Sequence, residues 1–145
     1  VASMLAWVIG VSDYPLPSNV PQLFAVEAST LPYFIVNGEK RYARAAYRND
    51  GTIVYDRRLD LDSPFGRSVL LHEVVHFVQD KSGRFSEDSC ENWLAREIEA
   101  YVRQGQWLRR ELRQSGLILP VWNVTLSLDL CPSTFTSERV GASVP

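Results

Sequence analysis

Apolar residues recur with a helical period at residues 1–12, where Leu5, Trp7, Val8 and Ile9 are available for packing. Tyr14-Pro15-Leu16-Pro17 must end that helix, because proline fixes φ and lacks the N–H a helix needs. Residues 22–27 read as a short strand. Residues 28–41 have no clear period, but Pro32 and Asn37-Gly38 mark turns within them. Ala43–Arg48 and Thr52–Asp56 flank Asn49-Asp50-Gly51, and these turn residues tolerate positive φ, which predicts a β-hairpin. Ser63-Pro64 opens a helix, with serine at the N-cap and proline where its missing N–H does no harm. That helix is expected to run from Pro64 to about Lys81 and to stop at Gly83. Its centre, Val69 to Val78, is apolar almost all round and should be buried. A second long helix should start near Asp88 or Ser89 and reach about Gln114. Val121–Leu128 is a possible strand, and residues from about 129 to 145 form a Pro/Ser/Thr-rich tail. The expectation is one α+β domain over residues 1–145: a small antiparallel sheet packed on two long helices.

The buried helix carries residues that do not belong in an apolar core. His72, Glu73 and His76 lie inside it, and these are the only two histidines of the chain. Positions four apart share a helix face, so both imidazoles can point at one ion. Glu73 then sits beside a water on that ion. His-Glu-x-x-His on a helix is the metalloprotease arrangement: two imidazoles hold Zn²⁺ and the carboxylate is the general base. The plainer alternative is a polar cluster satisfied by hydrogen bonds alone.

A catalytic zinc needs a third protein ligand and one open position. With no third histidine, the ligand must be Asp, Glu or Cys, and Glu91, Glu97 and Glu99 lie on the second helix. At roughly 100° per residue, Leu94, Trp93, Ala100, Tyr101, Leu108 and Leu112 flank Glu97 within about 60°, with Gln104 almost above it. Glu99 falls about 200° away, near Arg103 and Gln106. Glu97 is therefore the expected ligand. An ion pair between Glu97 and an arginine, or Glu99 as ligand, are the competing assignments. Ala100, one turn on from Glu97, would let the two helices approach closely.

Leu71-His72-Glu73-Val74-Val75-His76-Phe77-Val78-Gln79 and Arg96-Glu97-Ile98-Glu99-Ala100-Tyr101 resemble the matching strings of small bacterial gluzincin-type metallopeptidases. The resemblance covers about residues 43 to 112. It implies a peptidase in which His72, His76 and Glu97 hold zinc and Glu73 is the base. Larger gluzincins carry Asp four residues after the ligand glutamate to orient a zinc histidine, and Tyr101 stands at that place here. Gln104 or a backbone carbonyl would have to substitute. Tyr101 is the first candidate for donating to the oxyanion, with Tyr47 and Tyr55 behind it. By the same analogy the hairpin 43–56 would pair with an extended peptide substrate.

Composition narrows the partners. A net charge of −2 offers no global field for nucleic acid. No apolar run approaches the ~20 residues that span a bilayer. Cys90 and Cys131 match no zinc-ribbon or redox spacing but suit one disulfide, which with a start at Val1 suggests an extracytoplasmic, processed protein. The resulting expectation is a zinc-dependent hydrolase acting on peptide or protein. Its rival is a zinc-stabilised binding or scaffold protein without turnover.

Overall fold

The structure is a computed structural model and describes residues 1–85 and 89–114. Its elements, in order, are helix α1 (Ala2–Gly10), strand β1 (Gln22–Val26), a 3₁₀ turn (Ala28–Thr30), strands β2 (Tyr33–Val36), β3 (Glu39–Tyr42), β4 (Ala45–Tyr47) and β5 (Thr52–Asp56), and helices α2 (Pro64–Ser82) and α3 (Cys90–Gln114). The fold is α+β, as the periodicities predict. The possible strand at 121–128, the tail and Cys131 lie outside the described residues.

The hairpin predicted across Asn49-Asp50-Gly51 is β4–β5, antiparallel with Ala46 opposite Val54. Its turn closes through Arg48 and Thr52, with Gly51 at φ 88° and the Asp50 carboxylate accepting from the Thr52 amide and hydroxyl. The ambiguous stretch after Pro32 is a second hairpin, β2–β3, turning at Asn37 (φ 52°) and Gly38 (φ 80°). Two consecutive positive-φ residues give the turn that matches strand twist.

The three-stranded sheet has the order β1-β5-β4 and is mixed, which corrects the antiparallel expectation. β1 runs parallel to β5, Phe24 opposite Val54. Parallel neighbours need a crossover of a dozen or more residues. Here residues 27–51, holding the β2–β3 hairpin and β4, return the chain to the same end of the sheet. Asp56, at the end of β5, is buried and accepts from Arg58 Nε and a second guanidinium nitrogen at 3.1 and 3.0 Å and from the Arg58 amide.

α2 starts as expected. The Ser63 side chain accepts from the Gly66 amide at 3.0 Å, Pro64 fills the first helical position, and Gly83 closes the helix in the left-handed conformation at φ 67°. Gly66 itself is required by close approach, since a Cβ there would meet the Asp60 carbonyl oxygen at 1.9 Å. Every residue from Ser68 to Gln79 is buried. α1 supplies Met4, Leu5 and Val8 to one side of α2, the sheet supplies Ile53, and α3 supplies Ala100 and Trp107. Trp7 of α1 meets Trp107 edge-on at 5.2 Å, tying the first helix to the last. None of the described helices is long and apolar enough to cross a membrane.

Candidate metal centre

The polar face of α2 consists of Ser68, His72, His76 and Gln79, spaced at three and four residues, and it is turned toward α3. α3 answers with Glu97, Ala100 and Gln104, again at helical spacing. Ala100 is fully buried, and its single methyl lets the two helices close enough for side chains to meet across the seam.

His72, His76 and Glu97 converge there. The two Nε2 atoms lie 3.0 Å apart. Glu97 places Oε2 at 3.3 Å from His72 Nε2 and Oε1 at 3.1 Å from His76 Nε2. Glu97 Oε2 is buried and makes no aligned hydrogen bond despite that proximity. A tetrahedral ion bonded at ~2.0–2.1 Å separates its ligand atoms by roughly 3.3–3.4 Å. The observed separations of 3.0, 3.1 and 3.3 Å are close to one face of that tetrahedron. The donor set, two imidazoles and one carboxylate, is also that of catalytic zinc. These residues therefore fit the ion.

All three groups are removed from water: His72 is 1% exposed, His76 7% and Glu97 5%. Burial alone would raise the Glu97 carboxyl, but the facing histidines overcome it and hold it well below the usual carboxylate range. Burial likewise favours the neutral His76 ring, and the Glu97 carboxylate followed by Glu73 outweighs it, so the pKa of His76 is raised. Glu97 and His76 thus each favour the charged form of the other. Glu99, the rival ligand, points elsewhere: it accepts from Tyr14 Oη at 2.5 Å and from Gln79 Nε2 at 3.1 Å.

Glu73 is buried, and its Oε2 accepts from the backbone N–H of Tyr47 at 2.8 Å. The ladder bonds of β4 run through residues 44, 46 and 48, so the Tyr47 amide faces away from β5 and toward α2. Ala45 is fully buried on the same strand. That edge of the hairpin therefore holds Glu73, and the Tyr47 amide is already engaged rather than open to an added substrate strand.

Of the three candidate tyrosines, Tyr101 alone stands beside the ligands. Its ring meets the His72 ring edge-on at 4.5 Å. Burial, then the charges of Glu97 and Glu73, raise its pKa far above the usual phenol range, so its hydroxyl stays protonated. Tyr47 sends its hydroxyl to Asp80 Oδ2 at 2.8 Å and packs edge-on against Phe77, away from the histidines. Tyr55 packs against the core. The contribution of Tyr47 is its backbone amide, which side-chain chemistry in the sequence does not signal.

Both histidines have amide partners on the far side of their rings. His72 Nδ1 is 3.1 Å from Gln104 Oε1, and His76 Nδ1 is 2.9 Å from Gln79 Oε1. Gln104 is one of the groups expected to stand in for the aspartate of the larger gluzincins, and it faces His72. Gln79, three residues beyond His76 on α2, was not singled out, although its place on the histidine face of a buried helix was readable. Cys90, the first residue of α3, is buried.

No curated protein and no solved structure matches the chain. A family model does, over residues 1–128, and its description assigns no activity. The chain belongs to that family, DUF6647, a domain of unknown function.

Proposed function

We propose that this protein is a zinc-dependent hydrolase, and by resemblance a peptidase, with His72, His76 and Glu97 as metal ligands and Glu73 as general base. The observation that carries the proposal is the convergence of two imidazole nitrogens and one carboxylate within 3.0–3.3 Å in a buried helix seam. Bound zinc supplies Lewis-acid polarisation of a carbonyl and lowers the pKa of water toward ~7. The protein's own groups do the rest. Glu73, oriented by the Tyr47 amide, takes a proton from the attacking water and hands it to the leaving amine. Tyr101, kept neutral, donates to the oxygen on which charge develops.

The depth of the ligands supports a second reading, a structural metal in a binding protein without turnover. Structural zinc sites are closed, whereas catalytic ones keep a position open.

Metal content of the purified protein, beside Glu97→Ala, Glu99→Ala and Glu73→Gln, tests both. One zinc per chain is expected in the wild type, Glu99→Ala and Glu73→Gln, and none in Glu97→Ala. Peptide-library cleavage present in wild type and lost in Glu73→Gln supports the hydrolase. Zinc held without any cleavage favours the scaffold. No zinc at neutral pH, with zinc supplied, removes both readings.

A further inference from the structure

We infer that Gln79 and Gln104 are the positioning residues of this centre, a pair of neutral amide clamps that fix both zinc histidines with Nε2 toward the ion. The inference rests on the metal reading above and adds residues that the metalloprotease pattern does not contain.

The direction of each clamp follows from what lies behind it. Gln79 Nε2 is 3.1 Å from the Arg96 carbonyl oxygen and 3.1 Å from Glu99 Oε2. A backbone carbonyl and a carboxylate only accept, so the atom between them must be the NH₂ of Gln79. Its Oε1 then faces His76, and an acceptor there requires Nδ1 to carry the proton. Gln104 repeats the logic across the seam. The Ser68 hydroxyl donates to the Phe65 carbonyl at 2.7 Å, which leaves its oxygen to accept from Gln104 Nε2 at 3.3 Å. Gln104 Oε1 therefore faces His72, whose Nδ1 is again the donor. With both Nδ1 positions protonated, the free lone pairs lie on the two Nε2 atoms, the pair that sits 3.0 Å apart beside Glu97.

Filling space would not need this arrangement. Gln79 is 1% exposed, and a buried amide is costly unless its groups are bonded. Both glutamines lie at helical spacing from a ligand: Gln79 is three residues past His76, and Gln104 is seven past Glu97. Metal histidines usually meet a carboxylate or a carbonyl at this position. An amide oxygen accepts the same N–H bond and adds no negative charge to the ligand cage. A further carboxylate, Glu99, is held behind Gln79, where Tyr14 and Arg103 engage it at 2.5 and 3.9 Å.

The test is zinc affinity by chelator competition on the full chain, for wild type, Gln79→Leu, Gln104→Leu and Gln104→Glu, with circular dichroism to check folding. Losing an orienting partner typically costs about 10–100-fold in metal affinity. Both leucine variants should fall in that range, while Gln104→Glu, which keeps an acceptor for His72, should stay within about threefold of wild type. Nitrogen-15 spectra of the zinc-loaded protein give a second readout, since only two histidines contribute. Gln79→Leu should expose only the His76 Nδ1–H to exchange, and Gln104→Leu only that of His72. If wild type binds zinc and both leucine variants match it with both Nδ1 protons still protected, the clamps are refuted and the metal site stands. A tenfold loss in folded Gln104→Glu also refutes them, whatever the leucine variants do. If wild type binds no zinc, the metal reading fails and the clamps fall with it.

Discussion

Gly66→Ala should destabilise the protein far more than an exchange of one hydrogen for a methyl suggests. An added Cβ would stand 1.9 Å from the Asp60 carbonyl oxygen and 2.7 Å from its carbon. Ordinary contact begins near 3.4 Å, so about 1.5 Å of separation must be made, and the obstacle is backbone rather than a flexible side chain. The shift falls on the turn that starts α2. There Ser63 Oγ donates to the Asp60 carbonyl at 2.7 Å and accepts from the Gly66 amide at 3.0 Å. Overpacking of this kind costs about 1–3 kcal/mol, and loss of a serine cap adds about 1 kcal/mol. The total of roughly 2–4 kcal/mol is a large share of the 5–15 kcal/mol typical of a domain. In urea, with a slope of about 1–3 kcal/mol/M, the midpoint should drop by on the order of 1–2 M. Gly105→Ala is the control. It lies inside α3, and its Cβ would meet only the Arg109 guanidinium, at 3.7 and 3.9 Å. Alanine there should stabilise by about 0.5–1 kcal/mol through reduced backbone freedom. If Gly66→Ala unfolds within about 0.5 kcal/mol of wild type, the close packing of α2 on the Asp60 loop is refuted.

Two further predictions concern groups away from the proposed metal ligands. The guanidinium and amide of Arg58 hold the buried Asp56 carboxyl below its usual pKa, against the opposing effect of burial. A carboxylate lowered on folding stabilises above its unfolded pKa of about 3.9, and that contribution disappears as pH falls through the lower folded value. Asp56→Asn should therefore lose about 1.5–3 kcal/mol at pH 7 and much less near pH 2, measured by urea unfolding at both. An equal loss at both pH values would assign the effect to packing. Tyr14 is pushed up to about 12 by burial and then by its bond to Glu99. Its neutral form is favoured on folding, so the stabilisation is complete below pH 10 and is lost as pH rises toward 12. Tyr14→Phe should flatten the alkaline limb of the stability profile and cost about 1 kcal/mol at pH 7. An unchanged limb would show that Tyr14 does not titrate with the fold.

Much of the fold was legible because its signals are local. Ser63-Pro64 and Gly83 mark the ends of α2 through backbone requirements that any tertiary context must respect. Asn49-Asp50-Gly51 marks the hairpin for the same reason. Strand direction is not local. Nothing within residues 22–27 distinguishes a parallel from an antiparallel neighbour, and the pairing of β1 with β5 depends on where residues 27–51 return the chain. The β2–β3 hairpin was visible only as turn residues. Its strands lack alternation, since Tyr33–Val36 is apolar throughout and Glu39, Lys40 and Arg41 are all charged and exposed.

The candidate site divides along the same line. His72, Glu73 and His76 were legible because one helix carries them at fixed spacing, and Glu97 because a carboxylate in the middle of an apolar stripe demands a partner. The Tyr47 amide was not legible, since every residue but proline has one and only the placement of β4 against α2 selects it. Gln79 is the instructive intermediate. Its position was as readable as that of His76, three residues away on the same buried face, but glutamine is so often a solvated residue that its type raised no question. Burial changes this. On α2 an amide at 1% exposure has to be bonded at both ends, and the two ends available are a histidine ring and a pair of acceptors on α3. The polar residues of a buried helix are therefore best read together. Ser68, His72, Glu73, His76 and Gln79 include every polar side chain in the fully buried stretch of α2, and each is bonded either to its own helix or to an element packed against it. An apolar helix that keeps such a set at helical spacing marks a candidate site, and here Gln79 and Gln104 share their helix stripes with the proposed ligands His76 and Glu97.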